Sequence, residues 1–403
     1  MPTVLLIGTL DTKGDELAFV RERLLAAGVD VLVADASTLG PPSGLHPNVT
    51  SEELAAEVGA DVDELTDRGT AVATMADAAA VLARRLHADG RIEGVLGAGG
   101  SGNTAIATAA MRALPVGVPK LMVSTMAAGD TRDYIGGSDV MLMASVTDVA
   151  GLNSISARIL ANAAAAMAGM LGAPPVELGS EQRPLIGATM FGVTTPCVTR
   201  AREGLEARGY EVLVFHATGT GGRAMEALVE AGYLAGVLDA TTTELCDDLV
   251  GGVLSAGPDR LEAAGRVGLP QVVSLGALDM VNFGARDTVP PQFEERNLYV
   301  HNPSVTLMRT TAEECAELGR RIAAKLSAAS GPVALFVPLG GVSMIDAPGQ
   351  PFFDAAADAA LFEAIRSGVG SNVELVELDC NVNDGAFADA MVEKLDAFVK
   401  ESG

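Results

Sequence analysis

At 403 residues the chain outgrows one hydrophobic core, and two domains of about 200 residues are the expectation. Apolar residues make up 49% of it, yet aromatics only 4% and Trp none, which excludes global disorder and suits parallel strands buried under Ala-rich helices. A formal charge of −25 without any basic run excludes a nucleic-acid partner, so a bound anion must rely on backbone amides at helix starts.

In chain order, Val4 to Ile7 is a short apolar run closed by Gly8, the pattern of a buried strand. A turn over Thr9 to Gly14 leads into a helix whose apolar positions Leu17, Val20 and Leu24 recur at helical spacing, stopped by Gly28. Val29 to Ala34 reads as a second strand ending at Asp35, which completes a βαβ unit. Residues 69–88 read as a helix, Gly94 to Gly97 as a strand, Ala105 to Leu114 as a helix, and Lys120–Ser124 and Val140–Val146 as strands. Ser154 is placed to cap the Ala-rich helix that follows, and this helix is expected to pack on the sheet or on a partner subunit.

Pro174 to Pro184 is the best linker candidate, which divides the chain into residues 1–180 and 181–403. Leu185 to Gly187 then restarts the opening pattern, with a helix over Thr199 to Ala207, a stop at Gly209 and a strand over Glu211 to Phe215. The predicted architecture is α/β, with two Rossmann-like doubly wound domains and a ligand cleft between them.

Three groups of turns are candidates for chemistry. Gly97-Ala98-Gly99-Gly100-Ser101-Gly102-Asn103-Thr104 fits GxGxxG between a strand and a helix, where glycines admit phosphates and Ser101 and Thr104 add hydroxyls. The acid that the dinucleotide form of the motif needs about 20 residues on is replaced by Pro119-Lys120, which weakens an NAD-linked dehydrogenase reading. Thr9, Asp11, Thr12 and Lys13 form the second group. There Lys13 can neutralise phosphate and Asp11 can hold a metal ion, while Asp35 stands where a ribose-binding acid or a solvated strand-end Asp would. In the second half, Gly219 to Arg223 beside His216, then His301 and Arg309, then Leu339 to Ser343 before Asp346, can assemble an anion and acid/base site; each also has a structural reading.

Cys197, Cys246, Cys315 and Cys380 are far apart and lack CxxC spacing, so neither a zinc site nor a disulfide framework is expected. The start Met-Pro-Thr-Val-Leu-Leu-Ile-Gly has no signal-peptide features, and the most apolar helix is too short to span a bilayer. A soluble, cytoplasmic protein is the expectation.

Taken together, Gly8 to Gly14, Gly97 to Thr104, Lys120 to Met126, Asp148 to Asn153, Asn162 to Ala164, Phe215 to Gly222, His301 to Pro303 and Pro338 to Ser343 resemble a family. It is the bacterial, fungal and plant group related to the ATP-binding domain of the tomato mosaic virus resistance protein, and the resemblance runs over nearly the whole chain. The resemblance implies two Rossmann-like subdomains, ATP in the N-terminal one, and a homodimer. Plant members carry a further C-terminal domain and this chain ends at Gly403, so the antiviral role is not expected to transfer.

The resulting expectation is an ATP-dependent enzyme acting on a small anionic metabolite, with Mg²⁺ near Asp11. ATP would be held by Thr9, Asp11, Thr12, Lys13, Asp35, Gly97, Gly99, Gly100, Ser101, Gly102, Asn103, Thr104 and Thr125; His301, Arg309 and Asp346 would act on the substrate. The alternative is a non-catalytic, ATP-dependent protein-binding module.

Overall fold

The computed structural model describes residues 1–174 and 183–402, so most of the linker candidate from Pro174 to Pro184 lies outside the described residues. The chain divides into two compact units, Met1–Glu177 and Leu178–Gly403.

In the first unit, β1 (Thr3–Gly8), β2 (Asp30–Asp35), β3 (Gly94–Gly99), β4 (Lys120–Ser124) and β5 (Met141–Ala144) form one parallel sheet in the order β2-β1-β3-β4-β5. The helices are α1 (Leu10–Ala26), α2 (Ser51–Ala56), α3 (Arg68–Ala88), α4 (Ser101–Arg112), α5 (Arg132–Ile135) and α6 (Ser156–Gly172). Successive strand residues point to opposite faces. Accordingly Val4, Leu6, Leu96 and Val123 pack with Leu17, Val20 and Leu24 of α1 and with Leu160, Ala163 and Met167 of α6. On the other face, Leu5, Ile7 and Val95 pack with Met75, Leu82 and Leu86 of α3 and with Ile106 and Met111 of α4. The Ala-rich α6 therefore covers the sheet. Its start is organised by Asn153 rather than Ser154, since the Asn153 Oδ1 accepts from the amides of Ile155 and Ser156 at 2.9 and 3.0 Å.

One boundary differs from the sequence reading in a way that matters. The expected turn from Thr9 to Gly14 is the first part of α1, because two residues of the next strand end take its opening amides. Asp35 Oδ1 accepts from Leu10 N at 3.1 Å, and Ser37 Oγ accepts from Asp11 N at 2.9 Å. These partners are more than 20 residues away in sequence, out of reach of any local pattern.

The second unit repeats the opening topology. Its parallel strands are β6 (Leu185–Met190), β7 (Glu211–His216), β8 (Gly236–Thr241) and β9 (Gln271–Gly276). After an inserted antiparallel sheet of β10 (Met280–Phe283), β11 (Leu298–Asn302) and β12 (Val305–Arg309), β13 (Val333–Pro338) and β14 (Val373–Leu378) complete the main sheet. The main order is β14-β13-β9-β8-β6-β7. Its helices are α7 (Thr195–Glu206), α8 (Thr220–Glu230), α9 (Glu244–Val250), α10 (Ala263–Val267), α11 (Ala312–Ser327), α12 (Ala355–Gly368) and α13 (Gly385–Ser402). Helices α7 and α13 cover one face around Ile186, Leu238 and Phe336, while α11 and α12 cover the other around Val273, Leu335 and Val337. In each unit the second strand lies on one side of the first and the third on the other. This is the doubly wound order, and it opens a crevice between β1 and β3 and between β6 and β8.

The crevice of the second unit is filled from within. The Arg260 guanidinium, 2% exposed, meets both oxygens of Asp239 at 2.5 and 2.7 Å, Glu244 at 2.6 Å and Glu226 at 3.3 Å. Glu244 in turn accepts from the amides of Gly219 and Gly222 at 2.6 and 3.0 Å. The carboxylate thus sits at the start of α8, where an external anion would bind. Removing one partner of such a buried network strands the others without compensation. Arg260→Leu is expected to cost the second unit about 3–5 kcal/mol. Hydrogen exchange should show faster opening of the β6 and β8 amides, with protection in β1 and β3 unchanged.

Among the described residues, no helix is long and apolar enough to cross a membrane.

Candidate functional site

The crevice of the first unit is open. A cavity of about 360 Å³ lies where the carboxyl ends of β1, β2 and β3 meet, between the first turns of α1 and α4 and the start of α3. Thr9, Asp11, Thr12 and Lys13 line it from α1, Gly100, Ser101, Gly102 and Asn103 from α4, and Arg68 from α3. The two N-terminal turn groups singled out in the sequence therefore come together in space, from positions some ninety residues apart, because β1 and β3 are neighbours.

The two helix starts are not equivalent. At α1 the first amides are consumed by Asp35 and Ser37, whereas at α4 no side chain caps the helix. Among the described residues, the amides of Ser101, Gly102 and Asn103 have no partner, and the first satisfied amide is that of Thr104, bonded to Gly100 O at 2.9 Å. Three open N–H groups and the positive end of the helix dipole make this an anion cradle. Lys13 and Arg68 add positive charge at the rim, and Asp11 and Asp148 add negative charge.

The glycines of the motif divide into two classes. A Cβ at Gly97 would lie 2.7 Å from the Ala107 Cβ, and one at Gly99 would lie 2.9 Å from the Asn103 Cβ, so these glycines let α4 pack on β3. A Cβ at Gly100 would meet nothing closer than the Thr125 Oγ1 at 3.9 Å, and one at Gly102 nothing closer than Val72 at 3.5 Å. Gly100 has φ −85 and ψ −165, which any residue adopts, so the backbone angle does not demand glycine there. Internal packing explains Gly97 and Gly99 and leaves Gly100 and Gly102 to be explained by what approaches from outside.

The remaining N-terminal candidates have distinct places. Asp35 is 1% exposed, and its Oδ1 also accepts from the Ser37 amide and hydroxyl at 2.9 and 2.5 Å. Through Oδ1 it holds α1 in place, it is not a solvated strand-end acid, and it lines the neighbouring cavity at the end of β2. Thr104 is buried and donates to Gly100 O at 2.8 Å, which braces the turn from beneath. Thr125 is exposed beside the neighbouring cavity at the ends of β4 and β5. Asn103 Nδ2 donates to Ala98 O at 2.6 Å, while its Oδ1 and Asp11 Oδ1 are buried with no partner. Lys13 donates to the Val149 carbonyl, and Glu16 accepts from Gly151 N at 2.6 Å, so the segment after β5 is laced to α1 and Asp148 is brought to the rim. Arg68 and Asp148 are the lining charges that sequence reasoning missed. Asp148 stands in a motif that carried the family resemblance, the one signal that pointed to it.

In the second unit the candidates do not converge. Leu298 to Val300 belongs to the inserted antiparallel sheet and not to the doubly wound one, so the argument from carboxyl strand ends does not apply to it. In that sheet β11 and β12 form a hairpin pairing Leu298 with Met308 and Asn302 with Val305, which puts exposed His301 near the tip and Arg309 at the base. Arg309 is 4% exposed and meets Asp358 at 2.6 Å and Asp346 at 3.5 Å. Asp346, fully buried, accepts from Val342 N at 2.9 Å, and Ser343 Oγ donates to Asp279 at 2.7 Å. The Gly340-Gly341 turn is likewise closed, since a Cβ at Gly341 would lie 1.8 Å from Asp346 O. Arg309 and Asp346 are thus partners in a buried structural cluster, away from His301.

That cluster holds three carboxyls, of Asp279, Asp346 and Asp358, against one guanidinium. Burial pushes all three upward, and the Asp346 charge adds to the shift of Asp279 and Asp358. Asp247, buried beside Asn282, is also pushed up to about 7 by burial. A raised carboxyl keeps its proton in the folded state after the unfolded chain has lost it, so stability falls with pH between the unfolded and folded values. The carboxyls that are lowered, such as Asp130 and Asp139, act only below that window. The unfolding midpoint of the second unit should therefore decline between about pH 5 and 7 and level off above. Asp247→Asn should flatten part of that decline, as read by thermal melts across pH.

Residues 2–175 match the description "Uncharacterised protein family (UPF0261) N-terminal domain", and residues 183–399 match the corresponding C-terminal domain. The chain belongs to the UPF0261 family. A UPF0261 protein of Clostridium tetani is 52% identical over 396 residues, covering 97% of this chain and 98% of that one. A UPF0261 protein of Rhizobium meliloti is 51% identical over 397 residues, covering 97% and 98%. The ToMV resistance protein Tm-1(GCR237) of Solanum lycopersicum is 41% identical over 421 residues, covering 97% of this chain and 55% of the tomato protein. The suspected relation to the tomato mosaic virus resistance protein is thereby shown. Among solved structures, UDP-N-acetylglucosamine 2-epimerase from Rickettsia bellii overlaps with 12% identity over 68% of this chain and 78% of that one, at a TM-score of 0.24. An overlap that slight has no bearing on function.

The glycine classes give a direct check. Gly97→Ala and Gly99→Ala should lower thermal stability markedly, by the roughly 1–3 kcal/mol that overpacking costs. Gly100→Ala and Gly102→Ala, half-buried but free of any clash, should change it by no more than the ~1 kcal/mol of a glycine-to-alanine backbone effect.

Proposed function

We propose that the first unit binds a nucleoside triphosphate, ATP for preference, and that the protein uses it to act on a small metabolite. The observation that carries this reading is the start of α4: three unpartnered amides beneath two glycines that internal packing does not require. Phosphate oxygens would take the amides of Ser101 to Asn103, with Lys13 and Arg68 compensating charge at the rim. A second cavity of about 880 Å³ shares Thr38 and Leu39 with the first; Pro41, Pro47 and Val62 in its lining offer apolar surface to a base, and Asp35, Ser37 and Thr50 offer polar groups to a sugar. Leu39 is 81% exposed between the two, where a flat base can cover it.

Mg²⁺ would arrive with the phosphates, and Asp11, whose Oδ1 has no partner, is the carboxylate placed to meet it. In this reading His301, Arg309 and Asp346 make no contact with the nucleotide, and the latter two hold the second unit together.

Calorimetric titration of the full chain with ATP and Mg²⁺ tests the reading. The wild type should bind, and Gly100→Val should weaken binding at least tenfold, about 1.4 kcal/mol, while keeping its circular dichroism. Folded Gly100→Val protein with wild-type affinity would refute the placement on α4.

A further inference from the structure

Beside the phosphate cradle is a separate cavity of about 350 Å³ at the carboxyl ends of β4 and β5. Ser124 and Thr125 line it from the end of β4, and Ser145, Thr147 and Asp148 from the segment after β5. It abuts the first cavity. Asp148 lines both, and the Thr125 hydroxyl is the nearest atom to a Cβ built on Gly100.

Two independent features mark it as a built site. The first is backbone strain. Val146, 80% exposed, has φ +62, a left-handed conformation that is strained for a β-branched residue. It sits between Ser145 and Thr147, and the Ser145 hydroxyl closes the turn on Thr147 O at 2.6 Å. The second is unspent polarity. Thr147 Oγ1 is buried without a hydrogen-bond partner, and among the described residues the Thr125 hydroxyl and the Asp148 carboxylate have none. By contrast, Ser124 is already engaged, by Thr104 at 2.7 Å and by the Met126 amide at 2.9 Å.

The charge of the lining selects the ligand. Among the described residues, Asp148 is the one ionisable side chain that lines the cavity, and no Lys, Arg or His does so. Lys13 lines the neighbouring cavity and is tied to the Val149 carbonyl. A carboxylate or phosphate ligand would meet the like charge of Asp148 with no compensating cation in the lining. A protonated amine bearing hydroxyls would meet Asp148 and the free hydroxyls of Thr125 and Thr147.

We propose that this cavity is the subsite for the second substrate, a small hydroxylated amine, held against the terminal phosphate of the nucleotide. This rests on the nucleotide reading above for its neighbour, though not for its own chemistry. It also moves the substrate out of the second unit and reverses its expected charge, from anionic to cationic.

The test uses the full chain and two probes, 2-amino-1,3-propanediol and succinate, titrated by calorimetry or ligand-observed NMR without nucleotide and again with a non-hydrolysable ATP analogue. The aminodiol should bind and succinate should not. Ala128→Leu, which fills this cavity from an exposed position, should weaken the aminodiol at least tenfold and leave analogue affinity within threefold. Asp148→Asn should weaken the aminodiol at least fivefold. Preference for succinate, no aminodiol binding, or aminodiol affinity unchanged by Ala128→Leu would each overturn the proposal. Aminodiol binding by a protein that does not bind the analogue would uphold the amine site and strike the nucleotide reading instead.

Discussion

The first N–H groups of any helix have no partner inside the helix, and this constraint organises both units. Each parallel sheet aims helix starts at the carboxyl ends of its strands, so each unit faces the same problem. At α8 the solution is internal, with Glu244 on the amides of Gly219 and Gly222 and Arg260 locking that carboxylate. At α1 it is also internal, through Asp35 and Ser37. At α4 it is left open. Among the described residues, that one difference leaves the first unit with unpartnered amides facing a cavity.

The same contrast explains why two glycine-rich turns that look alike in sequence behave differently. A Cβ at Gly221 would lie 1.9 Å from His216 O, and one at Gly222 would lie 2.1 Å from Glu244 Oε2, so the second-unit turn is tight because it wraps its own side chains. The turn at Gly100 has empty space above it. Glycine content alone cannot separate these cases; the neighbours of the missing Cβ can.

Much of the first unit was legible because its signals are local. A strand of Val4 to Ile7, a helix with Leu17, Val20 and Leu24 inward, and a glycine turn between strand and helix at Gly97 to Thr104 each follow from nearest-neighbour periodicity. The two turn groups that face the first cavity each follow a strand of the parallel sheet, β1 and β3, a placement their local pattern also carries. What escaped were contacts set by distant residues. Asp35 reaching Leu10, Arg260 gathering Asp239, Glu244 and Glu226, and Lys13 tying down Val149 all join separated segments, and no spacing rule encodes them. Arg309 shows the complementary error. Its charge suggested a ligand, but a guanidinium ringed by acids in a dry interior is spoken for before any ligand arrives.

The filled crevice of the second unit has a thermodynamic consequence. Glu244 is covalently part of the chain, so its effective concentration at the α8 amides is constant and the stability it confers is independent of solution composition. The open amides at α4 have no such resident. An anion that bound only the folded form would add RT ln(1 + [L]/Kd), so under the proposed reading the first unit's stability would grow with the logarithm of ligand supply. Two sheets of the same winding would then be governed differently, one self-contained and the other tuned by its ligand.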